Sequence, residues 1–205
     1  MQVQGKLNLT LITGDPGGGK TTTGVGTLVD EFRKNPKVHL FANLHLFGVK
    51  FMFLPMEKLV EHFNDTLNGL PISDPKSIPL IGYGIYLYDE GYQGANAQEH
   101  SSSDTKVTQS LVLQSRKRHL KVIYVAQDTR LFIWELRKFA TETLNCVRYN
   151  EHSPIIEVTK KKDGQPKKTF TYDGSQYWQY FRSDELHPMA QSRLSKALQR
   201  SMVNA

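Results

Sequence analysis

Cysteine is almost missing from this chain: Cys146 stands alone among 205 residues. That excludes an internal disulfide framework and favours a cytosolic compartment. Long apolar runs are missing too, so no segment reaches the roughly 20 residues that a membrane-spanning helix needs. The opening "MQVQGKLNLTLITG" reads as a strand rather than a signal peptide. The histidines form no ligand-spaced cluster with cysteine, so no zinc is expected. No internal repeat is visible, which excludes a solenoid. Acidic residues are the minority charge, 20 against 26 Lys and Arg, for a net +6. This excess permits a nucleic-acid partner without establishing one. What remains is an ordinary hydrophobic share of 39%, enough for a single domain spanning 1–205 with a sizeable core.

The periodicity predicts strands alternating with helices, hence an α/β fold with a mostly parallel central sheet covered on both faces. Leu7 to Thr13 is a first strand, followed by a helix to about Arg33 with Val25, Leu28, Val29 and Phe32 on one face. Val38 to Ala42, Ile85 to Tyr88 and Val122 to Ala126 read as further strands. Met56 to Leu67, Val107 to Arg118 and Leu131 to Thr141 read as helices. The core is placed at about 7–149. Beyond it, "LNCVRY" is followed by a hairpin, Ile155 to Thr159 and Lys168 to Tyr172 around Asp163-Gly164, and a last helix from Leu186 to Met202.

"GDPGGGKT" lies between the first strand and the first helix and fits G-x-x-x-x-G-K-[ST]. Gly14, Asp15, Pro16, Gly17, Gly18 and Gly19 can turn successive N–H groups toward phosphate oxygens. The helix N-terminus, with Thr21 and Thr22 in its first turn, adds positive potential. Lys20 is expected to reach the β- and γ-phosphates and the Thr21 hydroxyl to hold Mg2+, so the cofactors are ATP and Mg2+.

At the end of the apolar run "GIYLYDEG" stand two adjacent acids, Asp89 and Glu90. A buried carboxylate is costly without a cation or donors to compensate it. With a phosphate loop present, Asp89 is expected to serve the metal shell and Glu90 to act as general base on the attacking water. The second acid favours hydrolysis over phosphate transfer to a small acceptor, because an activated water would waste ATP in a kinase.

"VIYVAQDTR" ends its apolar run at Gln127, which either holds the attacking water or γ-phosphate or simply caps the next turn. Arg116, Arg118, Arg130 and Arg137 are candidates for a finger reaching a neighbouring subunit's nucleotide, with Arg116 and Arg118 preferred. Lysines at 160, 161, 162, 167 and 168 crowd the hairpin. Lys160, Lys161, Lys162, Lys167 and Lys168 either contact nucleic-acid phosphates or keep an exposed edge unpaired.

Together, "LITGDPGGGKTTT", "VHLFANLHLFG", "IYLYDEGYQ" and "SRKRHLKVIYVAQDTRLFIWELRK" resemble the compact viral ATPases of the additional-strand P-loop class. The resemblance is to the FtsK/HerA-like genome-packaging ATPases and the related zonula-occludens-toxin-like assembly ATPases of filamentous phages. It covers about Leu7 to Tyr149 and rests on Asn43 after the second strand, on Gln93 closing "DE-x-x-Q", on Arg116 or Arg118 with His119, and on Gln127. It implies that the Gln127 strand is inserted between the phosphate-loop and acidic strands. It also implies a homo-oligomeric ring, pentamer or hexamer, translocating double-stranded DNA into a preformed capsid. Such a motor works in the host cytoplasm or at a virion vertex, beside capsid or membrane vertex proteins. The toxin-like group continues into a membrane anchor, whereas this chain reaches Ala205 without a transmembrane segment, so the packaging group is the expectation and a membrane-associated assembly ATPase the alternative.

Overall fold

In a computed structural model of the chain, the described residues are 8–55, 58–59, 84–90, 103–115, 119–128, 130, 134–150, 153–162 and 165–182. The strands are β1 (Leu9–Thr13), β2 (His39–Ala42), β3 (Met52–Phe53), β4 (Gly84–Tyr88), β5 (Leu120–Val125), β6 (Glu142–Arg148), β7 (Ile155–Lys162) and β8 (Gln165–Asp173). The helices are α1 (Lys20–Lys34), α2 (Ser103–Ser115) and α3 (Trp134–Phe139), and a 3-10 helix runs over Gly174–Tyr180. The last predicted helix, Leu186 to Met202, and nearly all of the one over Met56 to Leu67 lie outside the described residues.

All eight strands join one sheet in the order β3-β2-β4-β5-β1-β6-β7-β8. From β3 to β6 every pairing is parallel, and β7 and β8 add antiparallel. β5 sits between β1 and β4, the insertion that defines the additional-strand class. Every residue of β1 and β4 is buried, as a central parallel strand covered on both faces requires. Alternation along β1 sends Leu9 and Leu11 into a cluster with Leu111 and Val112 of α2 and Leu136 of α3. Ile12 joins the opposite cluster with Val25, Leu28 and Val29 of α1. Each such aliphatic side chain contributes about 1.5–3 kcal/mol by leaving water.

α1 runs antiparallel to β1, and its last turn carries Arg33 and Lys34, which suit the negative end of the helix dipole. Its outer side is crossed by the segment after β8. Tyr177 is buried there, so close that a Cβ at Gly26 would come within 2.8 Å of its ring. The Tyr177 hydroxyl donates to Asp30 at 2.7 Å, and the Phe47 N–H donates to the Tyr180 carbonyl at 2.8 Å. The segment therefore ties the β8 edge to the loop after β2, across α1.

The hairpin is longer than its composition predicts, and β6 zips it onto the main sheet. Arg148 pairs with Ile156 at the phosphate-loop end, and Thr143 with Lys161 at the other. The lysine-bearing end of the hairpin thus lies at the pole opposite the phosphate loop. β8 is an edge strand, exposed over nearly all its length, and Pro166, Lys167 and Lys168 guard it against further pairing. No helix among the described residues is long and apolar enough to cross a membrane.

Candidate active site

The phosphate loop forms where β1 ends between two neighbours. The Gly14 N–H donates to the Gln127 carbonyl beyond β5 at 3.3 Å, and the Gly18 N–H closes the turn on the Asp15 carbonyl at 2.9 Å. A Cβ at Gly14 would run into the Cys146 carbonyl of β6, so that position accepts glycine alone. Gly19 has φ 87° and caps α1 with no side-chain hydrogen bond. The N–H groups of the first helical turn have no partner within the helix and form a ready anion site.

Lys20 donates from Nζ to the Asp15 carbonyl at 2.8 Å. Burial lowers the pKa of this ammonium, opposed first by Asp89 and then by Cys146, Asp15 and Glu90. The Thr21 hydroxyl donates to Asp89 Oδ2 at 2.9 Å, a contact across 68 positions of sequence that joins the phosphate loop to the tip of β4. Hydroxyl and carboxylate are both hard oxygen donors, so Thr21 and Asp89 are the residues that could hold a Mg2+ ion, which would offset phosphate charge there.

Asn43 holds the acidic tip in place. Its Nδ2 donates to the Asp89 carbonyl at 2.8 Å, and its Oδ1 accepts from the Asp89 N–H at 2.7 Å. This two-point clamp gives a physical role to an Asn that enters the sequence reading only through the family resemblance. Glu90 follows with φ 53°, a left-handed conformation that costs a non-glycine residue about 1–2 kcal/mol. Its N–H donates to Asp89 Oδ1 at 3.1 Å, while the residue itself is exposed beside the loop.

Burial raises the pKa of Asp89, and the Thr21 hydroxyl and Glu90 N–H offset only part of that. A raised folded-state pKa means stability present at low pH is lost as pH climbs through it. Asp89→Asn is isosteric and keeps both contacts, since the amide oxygen still accepts and its nitrogen can donate to Thr21. We expect it to melt higher than the parent at neutral pH without nucleotide, with the gap closing below about pH 4, where an unfolded Asp also protonates. Mg-ADP should stabilise the parent and not the variant. Thermal scans across pH test this, and a gap independent of pH would refute the buried-charge account.

Gln127 lies at the tip of β5 with its side chain exposed and its carbonyl engaged by Gly14. Arg116, Arg118 and Gln93 lie outside the described residues. Arg130 is turned toward Asp128, with Nη2 and Nε at 2.6 and 2.8 Å, and Arg137 is exposed on α3. Among the lysines, Lys160 is committed to an ion pair with Glu142. Burial works against the Glu142 charge, yet Lys160 and the Thr10 hydroxyl together hold its carboxyl below the usual range. Lys161 is partly exposed, Lys162, Lys167 and Lys168 are exposed, and all four sit near the far pole.

A cluster beneath the loop escapes the sequence reading. Thr23, Cys146 and Tyr172 meet through their side chains, and Ile156 supports Gly19 so closely that a Cβ there would come within 2.5 Å of it. The signal in the chain is slight: a third threonine in "GKTTT", on the face of α1 that turns inward.

No protein-family profile matches this chain, and no curated protein matches it in sequence. Solved structures do match. The N-terminal domain of zonular occludens toxin from Neisseria meningitidis overlays with a TM-score of 0.59 and 15% identity, over 87% of this chain and 100% of that one. B204, the DNA-packaging ATPase from Sulfolobus turreted icosahedral virus, overlays with a TM-score of 0.50 and 12% identity, over 80% and 97%. At such identities the likeness is one of fold. The two correspond to the two groups that the sequence motifs resemble. The sheet order, phosphate loop and acidic strand define a P-loop NTPase fold of the additional-strand class.

Proposed function

We propose that this chain is a Mg2+-dependent ATP hydrolase that works as a homo-oligomeric ring, translocating viral double-stranded DNA into a preformed capsid. The observation that carries the hydrolytic part is the Thr21–Asp89 contact with Glu90 as the next residue. Backbone N–H groups of Gly17 and of Gly19 to Thr22, together with the Lys20 ammonium, bind and orient the triphosphate. A Mg2+ ion held at Thr21 and Asp89 would offset charge on the β- and γ-phosphates. Glu90 accepts a proton from water as the water oxygen bonds to the γ-phosphorus. The bond from that phosphorus to the β-γ bridging oxygen breaks, leaving ADP and phosphate. In this reading Gln127, at the tip of the neighbouring strand, orients the water.

Support for a polyanionic partner comes from Lys161, Lys162, Lys167 and Lys168, which leave Lys160 to Glu142. Phosphate contacts release counterions, so affinity should fall steeply with salt and vary little with sequence, as a motor on any DNA requires. Turnover measured with and without duplex DNA tests the reading. We expect several-fold stimulation by duplex, lost when the four lysines become Gln, together with a binding–salt slope shallower by about 0.9 per lost phosphate contact. Unchanged stimulation and slope would return these lysines to edge protection alone.

A second reading, a membrane-associated assembly ATPase of a filamentous virus, is supported by the higher TM-score with the zonular occludens toxin domain, 0.59. A stable complex with a membrane protein, and no response to duplex, would select it.

A further inference from the structure

We infer that Tyr172, from the C-terminal hairpin, is a positioning residue for the phosphate loop: acting through Thr23, it fixes the Gly19–Lys20 peptide so that its N–H points at the bound phosphates. The inference rests on the nucleotide-hydrolysis reading and extends it to a part of the chain that no recognised motif reaches.

Hydrogen-bond capacity decides the direction of each bond. The Thr23 hydroxyl has one proton and two lone pairs. Its proton goes to the Gly19 carbonyl, 2.9 Å away. Its lone pairs must then accept, one from the Cys146 thiol at 3.2 Å and one from the Tyr172 hydroxyl at 2.8 Å. Both donors keep their protons at working pH. Burial pushes the Cys146 thiol up to about 11 and lifts the Tyr172 hydroxyl well above its ordinary value. The hydroxyl is thereby saturated, with no freedom to turn away from Gly19.

The Gly19 carbonyl also accepts the Thr23 N–H at 2.9 Å, so two donors pin it toward the interior of α1. A peptide unit is planar, and in its trans form the C=O and the following N–H point in opposite directions. No cis peptide occurs among the described residues. Pinning the Gly19 oxygen inward therefore aims the Lys20 N–H outward, into the anion site. Glycine at position 19 would otherwise let this plane rotate freely. Ile156 of the same hairpin closes the space behind it. Tyr172 thus acts through Thr23 on the peptide that opens α1 at the anion site.

The test compares Tyr172→Phe, Thr23→Val and the double variant in the full chain, reading displacement of a fluorescent ATP analogue by ATP and by inorganic tripolyphosphate. Thr159→Gly, which removes the Thr159–Thr169 contact on the hairpin face opposite Cys146 and Tyr172, is the control for plain destabilisation of the hairpin. All proteins are assayed well below their melting temperatures. Tyr172→Phe is expected to weaken ATP and tripolyphosphate by the same factor, about fivefold to tenfold. Thr23→Val should weaken both at least as much, and the double variant no more than Thr23→Val alone. Thr159→Gly should lower the melting temperature while binding as the parent does. Affinity of Tyr172→Phe within twofold of the parent, or multiplying effects in the double variant, overturns the inference. Failure of the parent itself to bind either probe overturns the nucleotide reading instead.

Discussion

Glu90→Gln is expected to leave nucleotide and Mg2+ binding in place while cutting turnover by about 10²–10⁴-fold, the range that one general base supplies. The amide preserves shape and keeps the left-handed backbone of Glu90, but it cannot take the water's proton. Asp89, bound to Thr21 and clamped by Asn43, is unaffected, so the metal shell should survive. Single-turnover hydrolysis beside equilibrium nucleotide binding makes the measurement. Turnover within a few-fold of the parent would place the base elsewhere. Loss of binding together with turnover would mean that Glu90 serves the metal rather than the water.

Lys20→Ala should act on binding as well as chemistry. Removing a charge-assisted contact worth about 1.5–3 kcal/mol weakens the triphosphate by roughly 10–150-fold. Losing a preorganised cation at the developing charge costs about another 10²–10³ in rate. The fold should not suffer, because burial already disfavours the Lys20 ammonium. Its lowered pKa means that the Lys20 charge itself adds no stability at neutral pH. An unchanged melting temperature with near-complete loss of turnover is the expected pair of results. A variant that still hydrolyses ATP at the parent rate would remove the phosphate loop from the mechanism.

The parts legible in the sequence are those whose physics is local. The phosphate loop is one uninterrupted string whose glycines, lysine and threonine act within a single turn. The acids of β4 betray themselves because two carboxylates at the end of a buried strand demand an explanation. The hairpin shows in its alternation over Ile155 to Thr159 and Lys168 to Tyr172, although its strands run on to Lys162 and back to Gln165. What stayed hidden depends on partners far along the chain. β3 has only two residues, Met52 and Phe53, too few for any period to register. Nothing in "LNCVRY" announces that β6 will carry the hairpin into the main sheet as well as pair with β1. The 3-10 helix over Gly174–Tyr180 is held by Asp30, Gly26 and Phe47, residues well over a hundred positions earlier. Tyr172 and Thr23 are 149 positions apart, and no window of sequence contains both. The lysines were legible as charge, but only the register of β7 on β6 shows that they point away from the nucleotide and that Lys160 already has a partner.

The stitching of the phosphate loop to Tyr172 and Ile156 also sets a schedule for biogenesis. A ribosome delivers the "GDPGGGKT" motif early, but the side chains that brace it emerge only after some 149 further residues. At about 5–20 residues per second, that is a delay of roughly 7–30 s during which β1 and α1 exist without their supports. Contacts of such long sequence separation are also slow to form after release, since the loop they close is long. A nascent chain can therefore hold the whole recognisable motif before its braces exist, so the proposed nucleotide site would reach full affinity only once Tyr172 has emerged and paired.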